Sequence, residues 1–337
     1  MYHPRFKGTH YEAGVKYGQL MKKNGVDIMQ FAKLPQDQLT FGLLCIKEYE
    51  RYYPEVLQQI TGLADGIGID SKIFAAWLFC MYCYTNDNWC TTMVFKDENT
   101  TMMARTSDFA TVIRKLTESA YYQLKESLAF IANSTAIVQM EDGVNEYGLA
   151  VGLNFILPHK IKPGLNAGFL VRYFLEKCRT VKEVIEEVKK LPIASSQIIT
   201  AIDQSGDMVA IECNCEEIAF RYPDGNQSFL VSANDFICES MKKYKVKDIA
   251  DEIHSMERYT TGITALAKND YSLAFAKKLL SGTYGFMCQY KKGAGFDTIW
   301  ASIYDIKQKK IYRAEGNPSR TNFKKDNRLD TIWNKQI

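Results

Sequence analysis

Cys90 is the residue with the clearest capacity for covalent chemistry in this chain. It stands where helical sequence gives way to strand-like sequence, and two small hydroxyl residues, Thr91 and Thr92, follow it. A thiol at a strand start can act as a nucleophile. Cysteine is also among the most buried residue types, so position alone assigns no chemistry. His10 is the tempting papain-like base and His254 sits near Arg258 in sequence; both are read as structural. His3, His10, His159 and His254, together with Cys213-Asn214-Cys215, lack zinc-type ligand spacing, so no metal is expected. The glycines at 282, 285, 293 and 295 lack a strand-G-x-G-x-x-G-helix context and read as a loop, not a phosphate cradle.

The elements that would have to position Cys90 differ on its two sides. Residues 1–89 read as mostly helical, with apolar periodicity over 11–21, 39–53 and 54–66. The apolar run 73–84 (IFAAWLFCMYCY) is too short to cross a bilayer and reads as a buried helix. After Cys90 come β-rich runs at 91–95 and 101–109, joined by the polar turn Lys96-Asp97-Glu98-Asn99. Further strands are expected at 135–140, 148–154, 197–203, 208–213, 229–233, 298–306 and 310–314, and amphipathic helices at 168–178, 181–191 and 272–280. Consecutive strand pairs, such as 197–203 turning through Gln204-Ser205-Gly206-Asp207 into 208–213, imply a layered α+β fold in place of strict β-α-β alternation. No Gly/Ser- or Pro-rich linker separates 1–89 from 90–337, so the two parts are expected to form one globular unit.

Composition narrows the function classes. The 337 residues are 46% hydrophobic and 24% charged, enough for a sizeable core. A net charge of +3, with basic residues dispersed apart from short clusters such as Lys242-Lys243, leaves no electrostatic footprint for nucleic acid. The start, Met1-Tyr2-His3-Pro4-Arg5-Phe6, has no secretory pattern, and nine cysteines is an odd number for a disulfide framework. Reduced thiols in a cytoplasmic protein are therefore expected.

An ordered set of segments carries more. Gly8-Thr9-His10-Tyr11-Glu12-Ala13-Gly14-Val15-Lys16-Tyr17-Gly18 is followed by Cys90-Thr91-Thr92 and Ala104-Arg105-Thr106-Ser107-Asp108-Phe109. Then come Asn145-Glu146-Tyr147-Gly148-Leu149 running to Asn154-Phe155, Ser232-Ala233-Asn234-Asp235-Phe236, Met256-Glu257-Arg258-Tyr259, the stretch from Thr298 to Asp305, and Glu315-Gly316-Asn317-Pro318. In this order they resemble the linear-amide C-N hydrolases of the N-terminal nucleophile type, in the subgroup of acyl-CoA:6-aminopenicillanic acid acyltransferase (peptidase C45-like). Choloylglycine hydrolases and acid ceramidase are more distant relatives of that subgroup.

The resemblance implies a four-layer αββα sandwich and a self-processing enzyme. The Trp89-Cys90 bond would be cleaved, leaving 1–89 as a helical pro-segment bound to a catalytic core of 90–337. Cys90 would then attack a linear N-acyl amide or acyl thioester and pass through a thioester. Its new α-amine, with an ordinary pKa of ~7.7–8.0 beside a thiol near ~8.5, would act as the base. Arg105 would lie by the sulfur, Asp108 would hold the α-amine, Asn154 and Asn234 would donate to the oxyanion, and Arg258 would complete the polar network. No cofactor is implied, with acyl-CoA admitted as a co-substrate; the partners are a small-molecule substrate and the pro-segment, and self-association is left open. Tyr82, Trp89, Phe155 and Phe236 are candidates to shape an acyl pocket.

Two positions depart from the family pattern: bulky Trp89 precedes the nucleophile, and Thr106 replaces an asparagine after the arginine. A regular strand would put Arg105 and Asp108 on opposite faces, so a shared site calls for a bend after Arg105. The alternatives are a choloylglycine or penicillin V acylase-like amidase, and an unprocessed, non-catalytic ligand-binding protein on the same fold.

Overall fold

Side-chain parity along the first hairpin dictates how the layers stack. The computed structural model describes residues 1–28, 33–84, 88–246, 253–291, 293 and 295–334. Strands β2 (Asn88–Lys96) and β3 (Thr101–Ala110) pair antiparallel around the polar turn, where Asp97 Oδ1 accepts from the amides of Asn99 and Thr100. Val94 and Met103 face one way and join a core between two sheets. Met93, Phe95, Met102 and Ala104 face the other way and pack under helices. Such a two-sided apolar hairpin must be covered on both faces.

In chain order the remaining elements are β1 (Arg5–Gly8), α1 (His10–Lys23), α2 (Gln36–Tyr52), α3 (Pro54–Ile67) and α4 (Ser71–Cys80), all before the hairpin. After it come β4 (Glu118–Leu124), β5 (Phe130–Ser134), β6 (Asp142–Asn145), β7 (Ala150–Phe155), α5 (Ala167–Lys177), α6 (Val181–Val188), β8 (Gln197–Ile202), β9 (Met208–Cys213), β10 (Ile218–Arg221) and β11 (Phe229–Ser232). The chain then adds α7 (Ser255–Lys268), α8 (Leu273–Leu280), β12 (Phe296–Asp305), β13 (Lys310–Ala314), β14 (Lys324–Asp326) and α9 (Asp330–Trp333).

Two sheets result, one of eight strands in the order β1-β4-β5-β6-β7-β8-β9-β10 and one of six in the order β11-β2-β3-β12-β13-β14. The helices α1–α6 cover the outer face of the larger sheet. Helices α7 and α8 cover the smaller one. This is the αββα sandwich, with an apolar layer of Val94, Met103, Ile131, Val144 and Ile198 between the sheets.

Local chemistry explains the helix starts. Thr9 caps α1 in a full capping box with Glu12, which accounts for the Thr9-x-x-Glu12 spacing. Asp70, Asn166, Thr180 and Ser272 cap α4, α5, α6 and α8 in the same manner. Gly14 and Gly18 of α1 meet Gly62 and Gly66 of α3 so closely that an added Cβ would fall 2.1–2.5 Å from backbone oxygens of the facing helix.

Several expectations need correction. Residues 135–140 are not a strand: Ile137 takes φ +62°, Thr135 donates to Glu141, and the strand lies just before, at β5. The β-branched run there forms a turn because Glu141 binds both donors of Thr135. Strand β2 starts at Asn88, so Cys90 lies inside it. Strands β1, β4, β6, β10 and β14 are not among the expected ones; β1 pairs parallel with β4, placing Arg5–Gly8 in the larger sheet. Among the described residues no helix is long and apolar enough to cross a membrane.

Candidate active site

The hairpin register places Cys90 opposite Ser107 and Thr92 opposite Arg105. These side chains share the parity of Val94 and Met103, so they point between the sheets. Arg105 is buried and its guanidinium is fully committed: Nη2 donates to Cys90 Sγ at 2.8 Å and to Leu153 O at 2.8 Å, and Nε reaches Leu153 O at 3.2 Å. Nη1 donates to Ser107 Oγ at 2.6 Å and to Asp142 Oδ1 at 2.9 Å. Gly152 on β7 leaves room for this arrangement, since a Cβ there would lie 3.2 Å from the Arg105 stem.

Asp142 and Glu141 supply the countercharge. Asp142 also accepts from Trp300 Nε1 (3.0 Å), Tyr304 OH (2.6 Å) and Asn133 Nδ2 (2.8 Å). Glu141 Oε2 lies 3.4 Å from Ser107 Oγ and 3.9 Å from Arg105 Nη2. Burial dominates the titration of the thiol and pushes Cys90 up to about 12, with Arg105 pulling against it and Glu141 and Asp108 adding to it. The sulfur is thus held as a protonated thiol at neutral pH.

The backbone of Cys90 is gripped from several sides. Its N–H donates to Asn234 Oδ1 at 2.9 Å. Its carbonyl accepts from Asn154 Nδ2 at 2.7 Å and from Arg258 Nη1 at 2.8 Å. Arg258, at the start of α7, also donates to Thr91 Oγ1 (2.5 Å) and to Asn234 Oδ1 (3.0 Å). Asn154 spends its second N–H on Ser232 O, whereas Asn234 Nδ2 spends one of its two on Phe155 O. Asn154 thus has both amide hydrogens on backbone carbonyls, whereas Asn234 Nδ2 has one acceptor among the described residues.

Asp108 lies on the opposite face of β3 from Arg105. The strand keeps regular register with β2 and has no bend after Arg105; the irregularity falls in β12, between Thr298 and Trp300. That shift sets Thr298 Oγ1 at 2.6 Å from Asp108 Oδ1, while Tyr290 OH donates to Oδ2 at 3.0 Å. Burial raises Asp108 to about 6, opposed by nearby Arg258. The backbone nitrogen of Cys90 donates to Asn234 Oδ1, not to Asp108.

Sequence reasoning passed over Ser107, Glu141 and Asp142. It brought together Cys90, Arg105, Asn154, Asn234 and Arg258, which do meet here. Trp89 packs edge-on to Phe155 with ring centroids 6.1 Å apart and, with Asn234, lines a cavity of about 110 Å³. Tyr82 lines a separate cavity with Phe109 and Thr135, and Phe236 belongs to the inter-sheet core. The buried Thr106 hydroxyl, at the position where the family asparagine is replaced, has no hydrogen-bond partner among the described residues. His10 is bound to Glu176 at 3.2 Å, and His254 stacks on Phe286. Asn145 is structural: its amide holds Leu175 O and Cys178 O and receives Tyr147 and Leu149 N–H.

Penicillin V acylase from Agrobacterium tumefaciens is similar in structure, with a TM-score of 0.50 and 15% identity over 69% of this chain and 84% of that one. A single-residue mutant of conjugated bile acid hydrolase from Clostridium perfringens aligns with a TM-score of 0.49 and 13% identity over 71% of this chain and 96% of that one. No curated protein matches the sequence. The family model for acyl-coenzyme A:6-aminopenicillanic acid acyl-transferase matches residues 95–320, a span that begins just past Cys90 and contains Arg105, Asp108, Asn154, Asn234 and Arg258. The chain belongs to the acyl-coenzyme A:6-aminopenicillanic acid acyl-transferase family.

Proposed function

We propose that this protein is a self-processing cysteine amidohydrolase or acyltransferase that handles the acyl group of a linear N-acyl amide or acyl thioester through a thioester on Cys90. The observation that carries this reading is the 2.8 Å contact between a buried guanidinium and the Cys90 sulfur, at the head of a strand in an αββα sandwich. A fixed cation there favours thiolate over thiol.

Cleavage of the Trp89-Cys90 bond converts the Cys90 amide nitrogen into an α-amine, a base near neutral pH adjacent to its own sulfur. Asn234 Oδ1 already faces that nitrogen, and Asp108 balances its charge from the other face of β3. On attack, negative charge develops on the substrate oxygen, and the second hydrogen of Asn234 Nδ2, which has no acceptor among the described residues, stabilises it; one such donor is worth about 2.7–4 kcal/mol. Arg258 and Asn154 keep the Cys90 carbonyl fixed while sulfur and nitrogen do chemistry.

Residues 1–89 remain attached after cleavage in this reading, because β1 is a strand of the larger sheet and Tyr53 and His10 both reach Glu176 of the core segment. The family name favours transfer, and the penicillin V acylase likeness favours amide hydrolysis. The two differ only in whether an amine or water resolves the thioester. Acyl-CoA fits as donor, and a reducing cytoplasm suits the nine cysteines.

Intact-mass measurement of the purified protein tests the core of this. Wild type should yield fragments 1–89 and 90–337, Cys90→Ala an unbroken chain, and amidase activity should vanish with the cleavage. An uncleaved wild type whose Cys90 resists iodoacetamide would count against the reading. Offering an acyl donor with competing water and amine then measures the partition.

A further inference from the structure

Self-cleavage presents a problem that the mature enzyme does not have. Before the Trp89-Cys90 bond opens, the Cys90 nitrogen is an amide and cannot accept a proton, while the thiol is held protonated by burial. Some other group must take the sulfur's proton. Arg105 cannot, being a cation with every donor spent. Asp142 is saturated by Arg105, Trp300, Tyr304 and Asn133. Asp108 lies across the strand on the other face, bound to Thr298 and Tyr290.

A continuous path leads elsewhere. Ser107 Oγ lies 3.8 Å from Cys90 Sγ, receives a hydrogen bond from Arg105 Nη1 at 2.6 Å, and donates to Glu141 Oε2 at 3.4 Å. The second carboxyl oxygen, Oε1, is fixed by the N–H and hydroxyl of Thr135 at 3.0 and 2.6 Å, and Oε2 is the oxygen that accepts from the serine. Since Arg105 fills the acceptor side of Ser107, the serine proton is turned toward Glu141 or the sulfur.

We infer that Glu141, acting through Ser107, is the proton acceptor for the self-cleavage step, a role that the α-amine takes over once it exists. The inference rests on the proposed Cys90 self-processing. In the step, the thiol proton passes to Ser107 Oγ as the serine proton moves to Glu141 Oε2. The thiolate attacks the Trp89 carbonyl carbon and forms a C–S bond. Collapse breaks the Trp89 C–N bond, and the leaving nitrogen takes up the proton that Glu141 accepted, giving the Cys90 α-amine. Water then adds to the thioester and the C–S bond breaks, giving the Trp89 carboxylate and the Cys90 thiol.

Burial raises the Glu141 carboxyl above its ordinary value, against Arg105 and the Thr135 donors and with Asp142, which strengthens it as a base. The charged and titratable groups facing it are Arg105 from β3, Asp142 beside it, Cys90 from β2 and Tyr82 from the turn after α4.

The test follows precursor conversion by intact mass after release from a denaturant or expression pulse, across pH 5 to 9. Wild-type cleavage should rise with pH through the ionisation of Glu141. Glu141→Gln, which keeps the Thr135 acceptor, should cleave about 100-fold more slowly and lose that limb, in line with general-base contributions of roughly 10²–10⁴. Ser107→Ala should slow cleavage comparably while Arg105 stays on Asp142, and it decides the matter if the glutamine variant does not fold. Wild-type rates and an unchanged pH limb in folded variants overturn the inference alone. A wild type that never cleaves overturns it together with the self-processing reading.

Discussion

Asp142 holds Arg105 from behind: the two form a fully buried ion pair at 2.9 Å, and the far end of the same guanidinium touches the Cys90 sulfur. Neither charge has water to fall back on, so breaking the pair from one side leaves the other uncompensated. Asp142→Ala should therefore cost about 3–5 kcal/mol in urea unfolding, and Asp142→Asn should be destabilising too, because it also removes the charge and its single carbonyl oxygen cannot accept from Trp300 on one side and Tyr304 on the other. An unfolding midpoint unchanged in the alanine variant would show that Arg105 is neutralised by other means.

Arg105 pulls the thiol down while Glu141 and Asp108 push it up. Arg105→Met keeps most of the apolar stem but leaves both carboxylates near an unshielded sulfur, so the thiol should titrate higher. At pH 8 the variant is expected to react with iodoacetamide at least tenfold more slowly than wild type, one pKa unit being a factor of ten in thiolate. Equal rates would mean that the guanidinium positions substrate and does not tune the sulfur.

Much of this site was legible before the structure, and the reason is parity. A hairpin closed between Lys96 and Thr101 fixes Cys90 against Ser107 and Thr92 against Arg105, with Asp108 on the other face. Ser107 is therefore readable from the turn alone, since the register it sets puts Ser107 opposite Cys90. Glu141 and Asp142 were harder. Their signal was two adjacent acids in a short apolar stretch, but 135–140 read as a strand, and only the Thr135–Glu141 turn places both carboxyls on Arg105 and Ser107. Strands β1 and β4 pair across more than a hundred residues, and no local pattern encodes that contact.

Glu118 makes the contact between α1 and the larger sheet sensitive to pH. Its carboxylate accepts from Tyr17 OH at 2.5 Å, and burial lifts it from 4.5 to about 8, with the Tyr17 bond and Arg172 opposing. Because the folded pKa is raised, the native state holds a proton that the unfolded chain has released between these values. Stability is fully present below the unfolded value and falls as pH climbs toward 8. The loss should be on the order of a few kcal/mol, and Glu118→Gln should flatten it. Thermal midpoints at pH 5, 6.5 and 8.5 for both proteins check this; parallel curves would place the pH sensitivity elsewhere.

The glycines of the opening segment answer to packing and not to chemistry. A Cβ at Gly62 would sit 2.2 Å from Tyr11 O, and one at Gly14 would sit 2.1 Å from Gln59 O, so each helix backbone seats directly on the other. In an open helix, glycine to alanine gains about 0.5–1 kcal/mol from backbone entropy. Here the clash is with backbone, which cannot rotate away as a side-chain end could, and overpacking of this kind costs about 1–3 kcal/mol or more. The net sign for Gly62→Ala should therefore be destabilising, with Gly14→Ala alike and the double variant less than additive, since one separation of α1 from α3 relieves both clashes. Urea midpoints of the three variants decide it: a gain in stability for either single variant would mean that the helices stand farther apart than this close contact requires.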